Sequence, residues 1–457
     1  MNIFPPCRVV PWLAAALCTP LSLAQTVPAA PVTAGVAPVV IESAASLSLA
    51  RALRAARDNP DVQIARGALQ AARGDVVAAD RAPNAVLSLK SSAIDLQNGI
   101  GGGNLLNRKR IDKGVGVDWT WERGDKRILR TRVAQRSAAA AQADLDDTEL
   151  QQLLAAASAW VDLAAAQDRL LEVQAIERSA MQLADTANRR LKAGDLSQQD
   201  TTRAEIEARR AQADTLNAQL EVQRAALALA AIMGGPSLGG TPPVSLRAAA
   251  PWRASVDAAS TAGAAAQAES LVDTLIAQRG DIRAAQERVD AARAALDGAQ
   301  ALRRADVTWG VSLDHYPGTS TRLLELRMQM PIQSPALGGY DYQGEIARAS
   351  ATLQQAQSAL ERLRLNARSE VLRLQQERTA TAQRVLQFEQ DILPRARRVA
   401  DSAELAYSKG ALSLTDLLDA RRTLRATLLD AVGAHAEHTR ADTAWTLRTQ
   451  PGALLAP

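Results

Sequence analysis

The residues that could do chemistry are few, and most lie near the end of the chain. Asp416 and Asp419 stand three apart in a run of helix formers, so a helix would carry both carboxylates on one face. His435 and His438 stand at i and i+3 with Glu437 between them, a spacing that could hold a metal. No third ligand type is near, and the pair reads as a polar face of the last helix. His315 ends a strand-like run and reads as rim or loop. Cys7 and Cys18 are the only cysteines, and both fall near the N-terminus. There is no Ser/His/Asp or Cys/His constellation, no phosphate-binding glycine loop and no H-E-x-x-H helix. Gly101-Gly102-Gly103 has no Lys-Ser/Thr after it and reads as loop. The sequence thus assigns no catalytic, cofactor or metal residue, and an enzyme is not expected.

What positions the two aspartates is a motif that occurs twice. Gly194-Asp195-Leu196-Ser197-Gln198-Gln199-Asp200 is answered by Gly410-Ala411-Leu412-Ser413-Leu414-Thr415-Asp416, 216 positions later. Each reads as the end of one helix and the start of the next. Gly194 and Gly410 suit a left-handed C-terminal cap. Ser197 and Ser413 suit N-caps, and Asp200 and Asp416 suit the first turn that follows. A second match lies outside these turns: Asp61, Ala65, Ala71, Ala72, Arg73 and Ala79 recur as Asp281, Ala285, Ala291, Ala292, Arg293 and Ala299, each 220 positions later. Repetition on this scale indicates a tandem duplication.

The composition suits long helices. Alanine, leucine, arginine, glutamine and the acids dominate, and only 3% of residues are aromatic. The net charge of +4 is small, with basic and acidic residues interleaved, so a nucleic-acid partner is not expected. Arg8, the apolar run Val9–Leu23 and small residues at Ser22 and Ala24 read as a signal peptide (1–24) cleaved after Ala24. A lipidated Cys18 is the weaker alternative, because Leu17 is bulky where a small residue belongs. No later stretch reaches the roughly 20 apolar residues of a membrane-spanning helix.

Residues 25–45 read as an extended leader. Residues 46–81 carry helical periodicity, broken at Asn59-Pro60. Period-two alternation marks strands at about 84–96 and 111–122, and again at about 304–316 and 321–332. In the apolar set are Leu87, Leu89, Val115, Val117, Trp119, Trp121, Trp309, Val311, Leu313, Leu324, Leu326 and Met328. This set would face lipid, and the small or polar alternates a wet lumen. A soluble hairpin on a core would show the same alternation. Four strands cannot close a channel alone, so the barrel reading requires oligomerisation. Between them, about 123–233 and 341–447 are long helical hairpins whose first arms would be rods of roughly 100 Å. The repeats are 46–233 and 269–447, joined by 234–268 and followed by a tail, 448–457.

Signal peptide, twofold repeat, two strands per half, paired tips and the run Asp416-Leu417-Leu418-Asp419-Ala420-Arg421-Arg422 together resemble the TolC-type outer-membrane factors. The resemblance spans about Ser46 to Arg448. It implies a mainly α fold with a small membrane β part: a homotrimer forming a 12-stranded barrel in outer-membrane lipid and an α-helical barrel across the periplasm. It implies a passive exit duct of a tripartite system, docked to a periplasmic adaptor (membrane fusion) protein and an inner-membrane pump. The residues carried over for docking are Gly194, Leu196, Ser197, Gly410, Leu412 and Ser413. Those carried over for a periplasmic gate are Asp416, Asp419 and Tyr407. Trp119, Trp121 and Trp309 suit a membrane-interface girdle. Trp121-Glu122-Arg123-Gly124-Asp125-Lys126-Arg127 and Gly344-Glu345-Ile346-Ala347-Arg348-Ala349 resemble the branch serving heavy-metal cation pumps of the RND type. Multidrug efflux and type I secretion ducts are the alternatives within the family. A periplasmic adaptor is the alternative of another class.

Overall fold

The computed structural model describes residues 46–92, 111–234, 245–256, 272–316, 320–332, 339–450 and 454. The signal peptide, the leader, the glycine-rich loop 97–110 and most of the inter-repeat segment lie outside the described residues.

The first repeat opens with β1 (Ser46–Leu47) and α1 (Leu49–Ala56). Asn59 then caps α2 (Pro60–Ala79), accepting from the Asp61 amide at 2.8 Å, and Pro60 sits in the first turn, where a missing N–H costs nothing. Strands β2 (Val86–Ser92) and β3 (Asp112–Trp121) follow, then α3 (Lys126–Lys192) and α4 (Gln198–Ile232). The linker pairs β4 (Arg247–Ala248) in parallel with β1. The second repeat has α5 (272–278), α6 (Gly280–Ala301), β5 (Val307–Tyr316), β6 (Ser320–Gln329), α7 (Gln343–Gln387), α8 (Leu393–Ser408) and α9 (Leu414–Thr449). Helix α9 thus passes the expected boundary at 448.

Two details show how deep the repetition runs. Each strand-to-helix passage places a non-glycine residue in the left-handed region just before the helix: Asp125 (φ 56°) before α3 and Tyr342 (φ 53°) before α7. The repeats also differ. Helix α3 is continuous over 67 residues, whereas the matching rod of the second repeat is interrupted by a π-turn, Phe388–Ile392. Pro394 supplies the cause. It has no N–H to give and its ring crowds the carbonyl four residues back, so the helix takes up an extra residue there.

The four long strands form one antiparallel sheet in the order β2-β3-β5-β6, leaving β2 and β6 as its edges. Beneath it, α3 packs on α2, α4 and α6, and α9 packs on α3, α7 and α8. The central core gathers Leu47, Trp160, Leu163, Leu229, Met233 and Trp252, with the Trp160 indole donating to the Leu47 carbonyl at 2.8 Å. Alanine lets the rods approach closely. At Gly280 even a methyl group is excluded, because a Cβ there would lie 2.8 Å from the Ala143 carbonyl oxygen on α3. Among the described residues, no helix is long and apolar enough to cross a membrane.

Candidate functional site

Two ends of the molecule carry the residues singled out by sequence. At the tip end, α3 stops at Ala193 and the chain turns through Gly194 at φ +83°. The Gly194 amide donates to the Leu191 carbonyl at 3.0 Å and the Asp195 amide to the Arg190 carbonyl at 2.8 Å, a Schellman closure. Gly410, at φ +73°, repeats it with bonds to Tyr407 and Ala406. Ser197 Oγ then accepts from the Asp200 amide at 3.1 Å, and Ser413 Oγ from the Asp416 amide at 3.2 Å. Each hydroxyl returns its own proton to the same aspartate, at 2.7 Å and 2.6 Å.

The fold brings both tips together. Arg203 near the start of α4 donates to Thr415 Oγ1 at 3.1 Å. Leu196 and Leu412 lie half-buried on one cluster with Leu183, Ala187, Leu414 and Leu417. Arg190 stacks 4.9 Å from the Tyr407 ring. The Tyr407 hydroxyl is shielded and makes no hydrogen bond among the described residues, so within the protomer this side chain acts through its ring face. Asp416 and Asp419 are both exposed. Asp416 is engaged by its cap, and Asp419 pairs with Arg422 at 3.2 Å. Arg422 also reaches Glu207, Arg425 reaches Asp214, and Arg421 pairs with Glu404 at 2.7 Å, so three arginines of α9 tie it to α4 and α8. Sequence reasoning noticed Arg421 and Arg422 only as family marks. Their partners lie up to 242 positions away and leave no local signal.

At the other end, the register sorts the sheet into two faces. Leu87, Val117, Val311 and Leu326 form one row, Leu89, Val115, Leu313 and Leu324 the next, and Trp119 pairs with Trp309. Leu89 and Leu326 are each 74% exposed, and Trp119, Trp121 and Trp309 are exposed beside them. The opposite face carries Ser88, Lys90, Asp118, Thr120, Thr308, Ser312, Asp314, Glu325 and Arg327. A side chain in water on one face and a row of bare leucines on the other is what a lipid-embedded sheet requires.

The histidines need correcting. His435 and His438 do not lie on a polar face: they are 6% and 3% exposed, packed between α9, the π-turn region and the inter-repeat segment. His435 Nε2 is 3.2 Å from Glu389 in the π-turn, and His438 Nδ1 is 3.4 Å from Thr381 Oγ1. His315 lies at the outer end of β5, half-buried. Burial holds both His435 and His438 below the usual histidine range. Arg253 pushes His435 the same way against Glu389 and Asp168, and Arg378 pushes His438 against Asp442. The folded state therefore binds fewer protons than the unfolded one. Stability is full above about pH 6.5 and falls as pH drops, by at most ~1.4 kcal/mol per unit for each ring. The thermal midpoint should decline between about pH 6.5 and 5, and the decline should flatten in a His435→Gln, His438→Gln double variant. Parallel curves for the two proteins would remove the histidines as its cause.

Residues 53–235 match the family model described as outer membrane efflux protein. Over that part of its length the chain is similar to that family. The fold is shared with solved outer-membrane channels. It is 20% identical to the outer-membrane channel OprN, covering 89% of this chain and 91% of that one with a TM-score of 0.72. It is 18% identical to the outer membrane protein VceC from Vibrio cholerae, covering 88% and 95%, with a TM-score of 0.69. It is 19% identical to CusC, whose structures concern transmembrane channel formation, covering 88% and 91%, with a TM-score of 0.70. No curated relative matches the sequence. The matched family model and the shared fold are both those of outer-membrane proteins.

Proposed function

We propose that three copies of this chain close a 12-stranded barrel in the outer membrane and serve as the exit duct of an RND-type pump that expels heavy-metal cations. The observation that carries the duct is the sheet: four strands with bare apolar side chains on one face, polar ones on the other, and both edges open. Four strands enclose no channel, and three such sheets joined edge to edge do. Trp119, Trp121 and Trp309 then lie at the periplasmic interface of the lipid.

The six tip residues Gly194, Leu196, Ser197, Gly410, Leu412 and Ser413 receive the periplasmic adaptor, with both turns presented side by side. Asp416 and Asp419 narrow the entrance as a ring of six carboxylates, and Tyr407 braces the second hairpin behind them. Support for cation cargo is the strand-exit segment Trp121–Arg127 and the exposed acid pair at the tip. The duct has no need to chelate its cargo, because the pump selects it.

Single-channel recording of the purified protein in a planar bilayer tests this reading. Discrete conductance steps blocked by multivalent cations added from the tip side are expected. In an Asp416→Ala, Asp419→Ala double variant the half-blocking concentration should rise about ten-fold, which is ~1.4 kcal/mol of binding. Equal block in both proteins would remove the gate and leave the duct. No insertion from a folded sample would remove the duct.

A further inference from the structure

The polar face of the sheet is not a random scatter of charge. Its side chains fall into transverse rows, and the two rows bearing both charge signs are built around a glycine. In the row nearer the periplasm, Asp118, Gly310 and Arg327 are consecutive cross-strand neighbours. Arg327 reaches over Gly310 to bond Asp118 at 2.5 Å. A Cβ on Gly310 would lie 2.2 Å from Asp118 Oδ1, so the bridge lies flat on the backbone. In the outer row, Lys90, Gly114 and Asp314 repeat the arrangement. A Cβ on Gly114 would lie 2.0 Å from Asp314 Oδ1 and 3.4 Å from Lys90 Cβ, and Asp314 is 4% exposed. Ser312 Oγ donates to Asp314 Oδ2 at 2.8 Å. In the first row the cation and the anion pair across the glycine notch; in the outer row Lys90 lies over the Tyr316 ring, 5.9 Å from its centroid, and Asp314 is held by Ser312.

The row between them is Ser88, Gly116, Ser312 and Glu325. It carries one charge. Glu325 makes no ion pair among the described residues; of the nearest cations on this face, Arg327 bonds Asp118 and Lys90 lies over the Tyr316 ring. Asp112, two rows farther out beside Ser92, adds a further carboxylate at the mouth.

We propose that Glu325 forms a second cation-selective ring, midway through the barrel and remote from the tips. Three copies bring three carboxylates to one level of the lumen, between two electrically neutral tiers. The ligand class is the hydrated cation in transit, attracted by the ring's field rather than coordinated. The flat Asp118–Arg327 pair serves it twice: it leaves the bore wide, and it removes competing charge on the periplasmic side. Arg327 is then a specificity-determining residue as well, since its loss uncovers Asp118. The inference rests on the trimeric duct described above.

The test is the reversal potential of single channels under a salt gradient, in the Asp416→Ala, Asp419→Ala background so that the tips do not contribute. Glu325→Gln should lower the cation-to-anion permeability ratio by about three-fold, and Glu325→Lys should carry it toward anions, for a local potential of order kT. Arg327→Gln should raise it. Conducting channels whose ratio is the same in the background, Glu325→Gln and Glu325→Lys proteins would overturn the ring while leaving the duct intact. Absence of conducting steps in the background protein itself would overturn both, which separates the two failures.

Discussion

Replacing Arg279 with methionine should destabilise the protein by about 3–5 kcal/mol, the loss expected when one partner of a buried ion network is removed. Arg279 opens α6 and is one-tenth exposed. Its guanidinium holds Asp281 through two bonds, at 2.8 Å and 3.0 Å, and Glu370 on α7 at 2.9 Å. Arg448 at the end of α9 takes the other oxygen of Glu370 at 2.9 Å. Asp147 on α3 faces the same cluster, so helices of both repeats meet on one set of charges. Burial alone would raise the Asp281 carboxyl, but the Arg279 bonds outweigh it and hold Asp281 below the usual range. Asp147 is pushed up, first by burial and then by the Asp281 charge. Without Arg279, Asp281 and Glu370 would be left short of a counter-charge in a half-buried site. The deficit should therefore shrink toward pH 4, where carboxyls protonate and no longer need one. Thermal midpoints of the two proteins in detergent, measured from pH 7.5 to pH 4, decide it. As a control, Arg288→Met breaks an exposed pair with Asp144 at 2.6 Å and should cost under ~1 kcal/mol. Equal losses in both variants would mean that burial of the Arg279 cluster is not what matters.

Gly410→Val should abolish adaptor binding at the second tip while leaving channel conductance unchanged. The site is open: a Cβ on Gly410 meets nothing within 4 Å, so no clash opposes a side chain. What opposes valine is the backbone, at φ +73°. A β-branched residue held there costs on the order of 1–3 kcal/mol. The turn can escape that cost only by redirecting Leu412 and Ser413, which are proposed above to meet the adaptor. Loss of even ~1.4 kcal/mol of docking is ten-fold in affinity. Asparagine visits the left-handed region readily, so Gly410→Asn should bind within about three-fold of the parent. Titration of the full-length trimer with its adaptor would separate the two variants. Identical affinity for valine and asparagine would show that the backbone at this turn does not shape the docking surface.

The mainly α fold with its small sheet was legible because its signals are local. A strand with two unlike faces must alternate, and Val115, Val117, Trp119 and Trp121 do so whatever lies beyond them. A helix that reverses must be closed and reopened, and Gly410 and Ser413 do that within four residues. What stayed hidden depends on partners distant in sequence. Asn59 and Arg279 hold equivalent positions in the two repeats, yet one caps α2 and binds the Ile232 carbonyl while the other gathers acids from α6 and α7. The burial of His435 and His438 is hidden from the sequence for a related reason. Helix α9 is covered on several sides by α3, α7 and α8, so it has no single wet face from which a phase can be taken. The π-turn left Pro394 as its only trace, and Pro394 alone does not distinguish a kink from an inserted residue. Of the candidate sites, the tip caps could be read from sequence. The arginine ties between hairpins and the glycine-notched lumen required the register.

The open rims of β2 and β6 bear on how the molecule enters its membrane. Hydrocarbon offers no hydrogen-bond partner, and each stranded amide or carbonyl there costs several kcal/mol. A lone protomer pushed into lipid would strand a row of them on either side of its sheet, a penalty beyond the total stability of a typical fold. For the barrel proposed above, insertion one subunit at a time is closed. The strands must find their neighbours first, or as they enter, so the rate at which channels appear should rise steeply with protein concentration. Joining of subunits, rather than passage across the lipid surface, then sets the pace of biogenesis.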